Sequence, residues 1–528
     1  MDSPPASAFP STPPSRSRHL LASGGLVVAL VLYGILLASR MGAYAGSSDA
    51  SGYLNNARLL REGRLHVPQR AIEGLTPAEA PGFAYIPLGF TPSDHGLMVP
   101  TYPIGLSLLI VGVSAVTGWD AAPHVTMWLH AMLGVVLMYA LARALGLSRA
   151  AAALGALLLG ASPLYLFMSL QAMSDAPSLT WTALAVYLAW RSRARPAWAV
   201  AAGGAVAIAV LIRPTNLLGL APVGLALGFS GTRWRWLVLG GLPGALVLAA
   251  VNWQLYGKVL TTGYGDVGSA FGARFLPLVL ANYARWLPVL LTPALALVLG
   301  LPWLRRSEPR WVRWLLGTWI LGFLGFYAVY FHTSETWWYL RYLLPAFPAC
   351  VLALLLVARA LASAWRPRAA GPAVAVAALA VLGWDAYWGG RLAALEIGRT
   401  ESAYLVSARW AQSHLPPRAV LACMQTSGAL FHYTDFTLLR YDEVKDAANL
   451  ARIERLCAAA GRPIYAVLFP FETKEALERH LPGRWTLIET VRQVTIWRRE
   501  ASPLAAGAVR PPAFAVYAPP SALSYRAQ

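Results

Sequence analysis

The sequence predicts a polytopic α-helical membrane protein: about eleven transmembrane helices, an interfacial or re-entrant helix, and a small C-terminal extracytoplasmic α/β domain. Three observations predict it. Of 528 residues, 57% are hydrophobic and only 13% charged, against roughly 25% charged in soluble domains. Apolar runs of spanning length recur, separated by short arginine-bearing connections. Beyond about residue 389 the composition changes to that of a charged, β-containing unit. Together these exclude a soluble globular enzyme and an intrinsically disordered chain. The net charge of +19 is dispersed as single arginines between apolar runs, which makes no phosphate-tracking stripe for nucleic acid. The 21 Trp and 22 Tyr suit a chain with many membrane–water interfaces.

The elements follow in order. Residues 1–19 are rich in Pro and Ser and read as a disordered cytoplasmic tail, with Arg16 and Arg18 ahead of the first apolar run. That run has no convincing small-residue cleavage site and is long enough to span, so it reads as an uncleaved helix. At about 20 residues per crossing, spans are expected near 20–39, 122–142, 150–169, 175–190, 197–212, 214–230, 236–255, 282–304, 311–331, 339–361 and 371–388. The stretch 102–117 is shorter, opens with Pro103 and holds Gly105 and Gly112, which favours an interfacial or re-entrant helix over a twelfth span.

The arginines orient the chain. With the N-terminus inside and 102–117 not crossing, every second connection is Arg-rich: Arg143 and Arg149; Arg191, Arg193 and Arg195; Arg233 and Arg235; Arg305, Arg306, Arg310 and Arg313; Arg366 and Arg368. The opposite connections hold mainly Arg213, Lys258 and Arg274, with Arg341 at a span edge. This places the loop 40–100 and the domain 389–500 outside. In that domain helices are expected near 401–414, 446–459 and 472–481, with strands at V-L-A-C-M, P-I-Y-A-V-L-F, W-T-L-I-E-T-V and V-T-I-W-R. Cys423 and Cys457 fall near opposite sheet edges, too far apart for a disulfide, and should be buried free thiols. The Pro-rich stretch 501–528 is expected to be disordered. The three cysteines, with Cys350, have no zinc-ligand spacing.

The first outer loop opens A-G-S-S-D-A-S-G-Y-L-N-N-A-R-L-L-R-E-G-R-L. Asp49 follows the first span at the start of an amphipathic helix. It reads either as that helix's cap or as an acid held just outside the bilayer, where it can serve as a general base.

An outer-loop acid followed by x-x-x-Y-L-x-x-A-x-x-L-x-x-G resembles the first-loop motif of the GT-C glycosyltransferases. These include the protein O-mannosyltransferases and the lipid A aminoarabinose transferase. Further stretches agree in order: D-H-G-L-M-V-P-T-Y-P-I-G-L-S-L-L, G-A-S-P-L-Y-L-F-M-S-L-Q-A-M-S-D-A-P, I-R-P-T-N, L-Y-G-K-V-L-T-T-G-Y-G and W-Y-L-R-Y-L-L-P. The likeness covers roughly residues 20–360. It implies a sugar taken from a polyprenyl-phosphate donor and passed, with inversion, to a glycan, lipid or protein acceptor outside the inner membrane. A hexosyl or a pentosyl group would serve equally.

The resemblance implies roles residue by residue. Asp49 would be the base, and Asp175, in S-D-A-P, the second acid; its bland reading, with Ser174, is a helix cap. Arg341 and Lys258 are the outer-face cations on family motifs for the donor phosphate. Arg213, before Pro214, is either a third such cation or a snorkelling anchor. Tyr339, beside Trp337, Trp338 and Tyr342, would cradle sugar or prenyl chain, and Tyr102 lies on the Y-P-I-G motif. Tyr264 and Asp266 would contact the acceptor, whereas His332 with Glu335, Asp94 with His95, and His124 and His130 read as structural.

Two positions depart from the family. Ala50 stands where many relatives carry a second acid, so these positions offer no paired-acid metal site. A divalent cation stays open as a cofactor. Thr101 stands where many carry Lys or Arg, so another cation must neutralise the phosphate. The rival class is a lipid or sugar transporter or flippase, which calls for acids near the bilayer midplane or internal repeats. Neither is evident between the two halves.

Overall fold

The computed structural model describes residues 16–75, 82–265, 267–304, 308–365 and 370–500. The expected disordered segments 1–15 and 501–528, with Asp266, Arg305, Arg306, Arg366 and Arg368, lie outside them. Helix α1 runs Arg16–Arg40 and so takes in the last four residues of the tail expected over 1–19. No breaker follows Pro14, so the helix extends through the basic residues that precede the apolar run.

From there the chain runs α2 (Ser48–Arg61), a three-stranded antiparallel sheet of β1 (Val67–Pro68), β2 (Phe90–Pro92) and β3 (Leu97–Pro100), then α3 (Gly105–Thr117). Next come α4 (Ala122–Ala144), α5 (Arg149–Gly160), α6 (Pro163–Ser169), α7 (Asp175–Arg191), α8 (Trp198–Ile212), α9 (Leu220–Leu227) and α10 (Gly231–Tyr256). The helical layer closes with α11 (Leu276–Leu290), α12 (Arg310–Tyr327), α13 (Phe347–Trp365) and α14 (Ala370–Arg391), and with 3-10 segments at Pro214–Gly219, Pro293–Trp303 and Trp337–Ala346. Helix α3 has 13 residues, about 20 Å of rise, short of a ~30 Å hydrocarbon core.

Helices occupy each of the eleven expected stretches, but among the described residues four are long and apolar enough to cross a membrane, or up to six if each bent pair is one span. Two expected continuous spans are broken. The stretch 150–169 bends by 62° between α5 and α6, and 282–304 bends by 108° between α11 and Pro293–Trp303. Each break has the same cause: a proline, Pro163 or Pro293, opens the second segment and forces the preceding Ser162 or Thr292 out of helical geometry. The breaks meet, since Ser162 Oγ donates 2.6 Å to the Leu290 carbonyl that the second break frees.

The arginine-rich turns gather at one end of the helices. Arg193 donates to the Leu225 and Ala226 carbonyls and stacks 4.0 Å over Trp311, while Arg359 bonds the Gly146 carbonyl and pairs with Glu308. The loop after α1 and the C-terminal unit lie together elsewhere, joined by one core.

The C-terminal unit is a five-stranded mixed sheet in the order β5-β4-β6-β8-β7, from β4 (Val420–Cys423), β5 (Thr437–Arg440), β6 (Ile464–Leu468), β7 (Trp485–Val491) and β8 (Val494–Arg499). Its helices are α15 (Ile397–His414), α16 (Ser427–Tyr433), α17 (Ala447–Ala459) and α18 (Pro470–Lys474), the last continued by a π segment. The other four strands lie where the sequence pattern predicts them, but β5 and α16 were not expected; T-L-L-R is too short to show a period, and the sheet supplies its edge. Cys423 and Cys457 are buried free thiols, as expected, and so is Cys350. One apolar core joins this unit to the first outer loop: Leu59, Val67, Ile86, Phe90 and Met98 pack with Ala403, Tyr404, Leu430, Phe431 and Val467.

Candidate active site

Four charged side chains from four distant stretches meet where the helices face the outer domain. Asp49 sits in the first turn of α2, and Asp175 opens α7; both are helix N-termini, where the backbone dipole favours a negative charge. Neither is a cap. Ser47 and Ser174 hold the capping positions without making a side-chain capping bond. Ser174 Oγ instead accepts from Arg213 Nη2 at 2.9 Å.

Arg213 reaches them because Pro214 drives it into an extended conformation at the end of α8. Its Nη2 lies 2.7 Å from Asp175 Oδ1. The turn is pinned by Asn216, which donates to the Ala209 carbonyl and accepts from Ser178. Arg341 comes from the 3-10 segment Trp337–Ala346. Its Nη2 pairs with Asp49 Oδ2 at 2.7 Å, and its Nη1 stands 3.9 Å from Asp175 Oδ2. So Arg341 bridges the two acids, and Arg213 backs the second. Neither arginine is a snorkelling anchor: their side chains are 11% and 12% exposed, and the Asp175 side chain is fully buried.

Aromatic rings wall the cluster. Tyr342 lies under both guanidinium groups, at 5.1 Å from Arg341 and 5.3 Å from Arg213, and stacks on Tyr327. Tyr339 lies 5.9 Å from Arg341 and stacks on His332, which pairs with Glu335 as expected of a local surface pair. Tyr102 Oη sits 2.8 Å from Ser48 Oγ and hydrogen-bonds Asp49, and its ring packs between Tyr53 and Tyr264. Tyr264 is 45% exposed and forms the open side.

Burial works to raise the Asp49 carboxyl. The Arg341 charge, hydrogen bonds from Tyr102 and Arg341, and the Arg213 charge together outweigh it, so Asp49 is held below the ordinary carboxylate value. Despite these partners, three buried polar atoms of the cluster have no hydrogen-bond partner: Arg213 Nη1, Arg341 Nε and Asp175 Oδ2. Two unmatched guanidinium donors in one cluster suit a further anion.

Lys258 does not join them. It is exposed in the turn after α10, and among the described residues no ion pair or hydrogen bond ties it to the cluster. Asp94 and His95 form an exposed 3-10 turn; His130 bonds the Thr126 carbonyl and Trp181, and His124 packs on Tyr44. Among the described residues no three His, Cys, Asp or Glu side chains group as metal ligands, and both acids of the site bond arginine instead. Glu401 of α15, not among the expected site residues, is 4% exposed and accepts from Ser47 N–H at 3.3 Å. No local signal marks it, since its contact lies 354 positions away.

This helical frame, with an acid-bearing loop after α1 packed against a small C-terminal unit, is similar in fold to the GT-C membrane glycosyltransferases. A family model described as dolichyl-phosphate-mannose-protein mannosyltransferase matches residues 119–263, which include Asp175, Arg213 and Lys258. The crystal structure of ArnT from Cupriavidus metallidurans bound to undecaprenyl phosphate aligns with 92% of this chain and 99% of its own, at 14% identity and a TM-score of 0.53. The same protein in its apo state aligns at 16% identity over 90% and 98%, with a TM-score of 0.55. No curated protein sequence matches the chain.

Proposed function

We propose that the chain transfers a sugar from a polyprenyl-phosphate donor to an extracytoplasmic acceptor, with inversion at the anomeric carbon. The observation that carries this is the pair of buried guanidinium groups, each with an unmatched donor, beside two carboxylates at the outer end of the helices. The undecaprenyl phosphate named for the ArnT structure supports the donor class. The gathering of arginine-rich turns at the opposite end supports an inner membrane of bacterial type with the N-terminus in the cytoplasm. On this reading residues 20–388 form the membrane domain and 389–500 the outer one.

The geometry suggests the order of events. Bonded to Arg341, Asp49 is a weak base. A donor phosphate that takes up Arg341 and Arg213 shares their charge, and the Asp49 carboxylate gains basicity as the substrate arrives. The acceptor hydroxyl then gives its proton to Asp49 while its oxygen bonds the anomeric carbon. The bond from that carbon to the phosphate oxygen breaks, and the polyprenyl phosphate leaves with the electron pair, its charge met by the two guanidinium groups. Asp175 holds Arg213 in place, Tyr339 and Tyr342 flank the cations, and Tyr102 orients Asp49. Tyr264 lies on the acceptor side. Lys258 is retained as a cation for the phosphate only through a movement of its turn.

The test is Asp49→Asn in purified protein assayed with a panel of polyprenyl-phosphate hexoses and pentoses. Asn has the size of Asp, and Asp49 does not hold the capping position of α2, so folding should hold. Turnover should fall by roughly two to four orders of magnitude. Near-normal turnover by the Asn protein would remove Asp49 as the base and leave Asp175 to be tested.

A further inference from the structure

The loop that carries Asp49 is held from outside the membrane domain. Between α1 and α2 it runs only from residue 41 to 47, and the C-terminal unit touches it along its length. Gly42 and Gly398 meet backbone to backbone, so closely that a Cβ on either would overlap the other. Tyr433 Oη of α16 accepts from Ala45 N–H at 2.9 Å. Glu401 Oε2 accepts from Ser47 N–H and fills the space beside Gly46, where a Cβ would collide with it. The grip continues along α2: Asn55 donates 3.0 Å to the Gly428 carbonyl, and Arg58 donates 2.8 Å to the His432 carbonyl.

Glu401 is the unusual member. A buried carboxylate costs stability unless it is paired, and its one hydrogen-bond donor here is a single backbone amide at 3.3 Å. An apolar side chain would pack an α15–loop contact without that cost. The acid makes sense as a device that fixes one peptide, the one two residues before Asp49.

We propose that Glu401 is a positioning residue for Asp49, acting through the Ser47 amide and Gly46, so that the outer domain sets the geometry of the base. The proposal rests on the transferase reading above. Glu401 touches neither guanidinium group, so it governs where the base stands, not how the donor phosphate is bound. The groups facing it are Asp49 from α2, Tyr433 from α16 and Tyr404 on its own helix, with Arg409 and Tyr44 behind Tyr433. Burial lifts its carboxyl to about 7, opposed by the Ser47 N–H and aided by the Asp49 charge.

The experiment compares wild type, Glu401→Ala and Glu401→Gln as full-length protein in detergent or nanodiscs, by two readouts. Hydrogen exchange of the segment 42–51 is the first, and kcat and donor KM with a polyprenyl-phosphate sugar the second. The Ala variant should exchange that segment at least tenfold faster while β4 and β6 stay protected, and should lose ten- to hundredfold in kcat with donor KM within twofold. The Gln variant keeps an acceptor oxygen and should regain most of both. Gly46→Ala, which displaces Glu401 from the loop side, should copy the Ala variant. Unchanged exchange at 42–51 overturns the proposal, as does faster exchange with unchanged kcat, or a donor KM that rises in step with the loss of kcat. If the segment loosens as expected but the wild-type protein uses no donor in the panel, the hold on the loop stands and the transferase reading is what fails.

Discussion

Arg341 bonds Asp49 and stands 3.9 Å from Asp175, and its removal separates the two roles of the cluster. Arg341→Ala should raise the donor KM tenfold to hundredfold, the effect of losing a charged hydrogen bond worth about 1.5–3 kcal/mol. Arg341→Lys should recover part of this, because an ammonium cannot bridge two carboxylates and a phosphate as a planar fork can. Initial rates at low salt decide it: an unchanged donor KM in the Ala variant would shift the phosphate to Lys258. Glu401 makes a second prediction at this scale. Its carboxyl lies at about 7 when folded against 4.5 in a free chain, so the folded state binds its proton more tightly. The stability this gives is complete below about pH 4.5 and is lost as pH rises through 7, on the order of 3 kcal/mol in all. Glu401→Gln should therefore unfold at a higher temperature than wild type at pH 8 and not at pH 5. Turnover should run the other way, since the charged carboxylate is the stronger acceptor for Ser47 N–H. Wild-type kcat should rise through pH 7 and the Gln variant should lack that rise. Asp49, held low, is ionised throughout that range.

Among the elements, the breaks matter as much as the helices. The hydroxyl of Ser162 joins the two of them: it accepts from the Tyr165 N–H at 3.4 Å, capping α6, and donates to the carbonyl of Leu290, which is fully buried. Ser162→Ala should leave that carbonyl without a partner and cost about 1–3 kcal/mol, read as a lowered melting temperature of the purified protein. A Ser162→Thr change, which keeps the hydroxyl, should cost less. These breaks also mark the limit of reading spans from sequence. Apolar length over 150–169 and 282–304 reports that the segments are buried in something apolar; Pro163 and Pro293 report the bends, and a sliding count of hydrophobicity gives the prolines little weight. The same reasoning explains why α2 was legible as a helix opening near Asp49 while β5 was not. Helix α2 carries its own amphipathic period, whereas four residues of edge strand take their identity from the neighbour they pair with.

For the whole molecule, the sites legible in the sequence were those tied to local events at helix ends. Asp49 follows a span, Asp175 starts a helix, Arg213 precedes a proline, and Arg341 sits in an aromatic run; all four meet in the structure. Lys258 shares the same kind of position, yet its turn stays apart. Glu401 was illegible because its meaning lies in a contact between the two ends of the chain. Orientation is testable at this scale. Single cysteines near Gly46 and Ser413 should react with impermeant thiol reagents in intact spheroplasts, and one near Ala194 should not. Labelling at 194 with protection at 413 would place the charge cluster on the cytoplasmic side, where the proposed chemistry has no role.

The shared core between the first outer loop and the last domain has a consequence for how the protein is made. A ribosome that has reached α14 has already delivered both acids and both arginines, and these can find one another in the membrane. Leu59, Val67, Ile86, Phe90 and Met98 must then wait, uncovered, for the residues that complete their core. Nearly the whole chain is translated before its first functional loop is finished. Quality control that recognises exposed apolar surface thus has a long interval in which to act on a stalled or truncated chain.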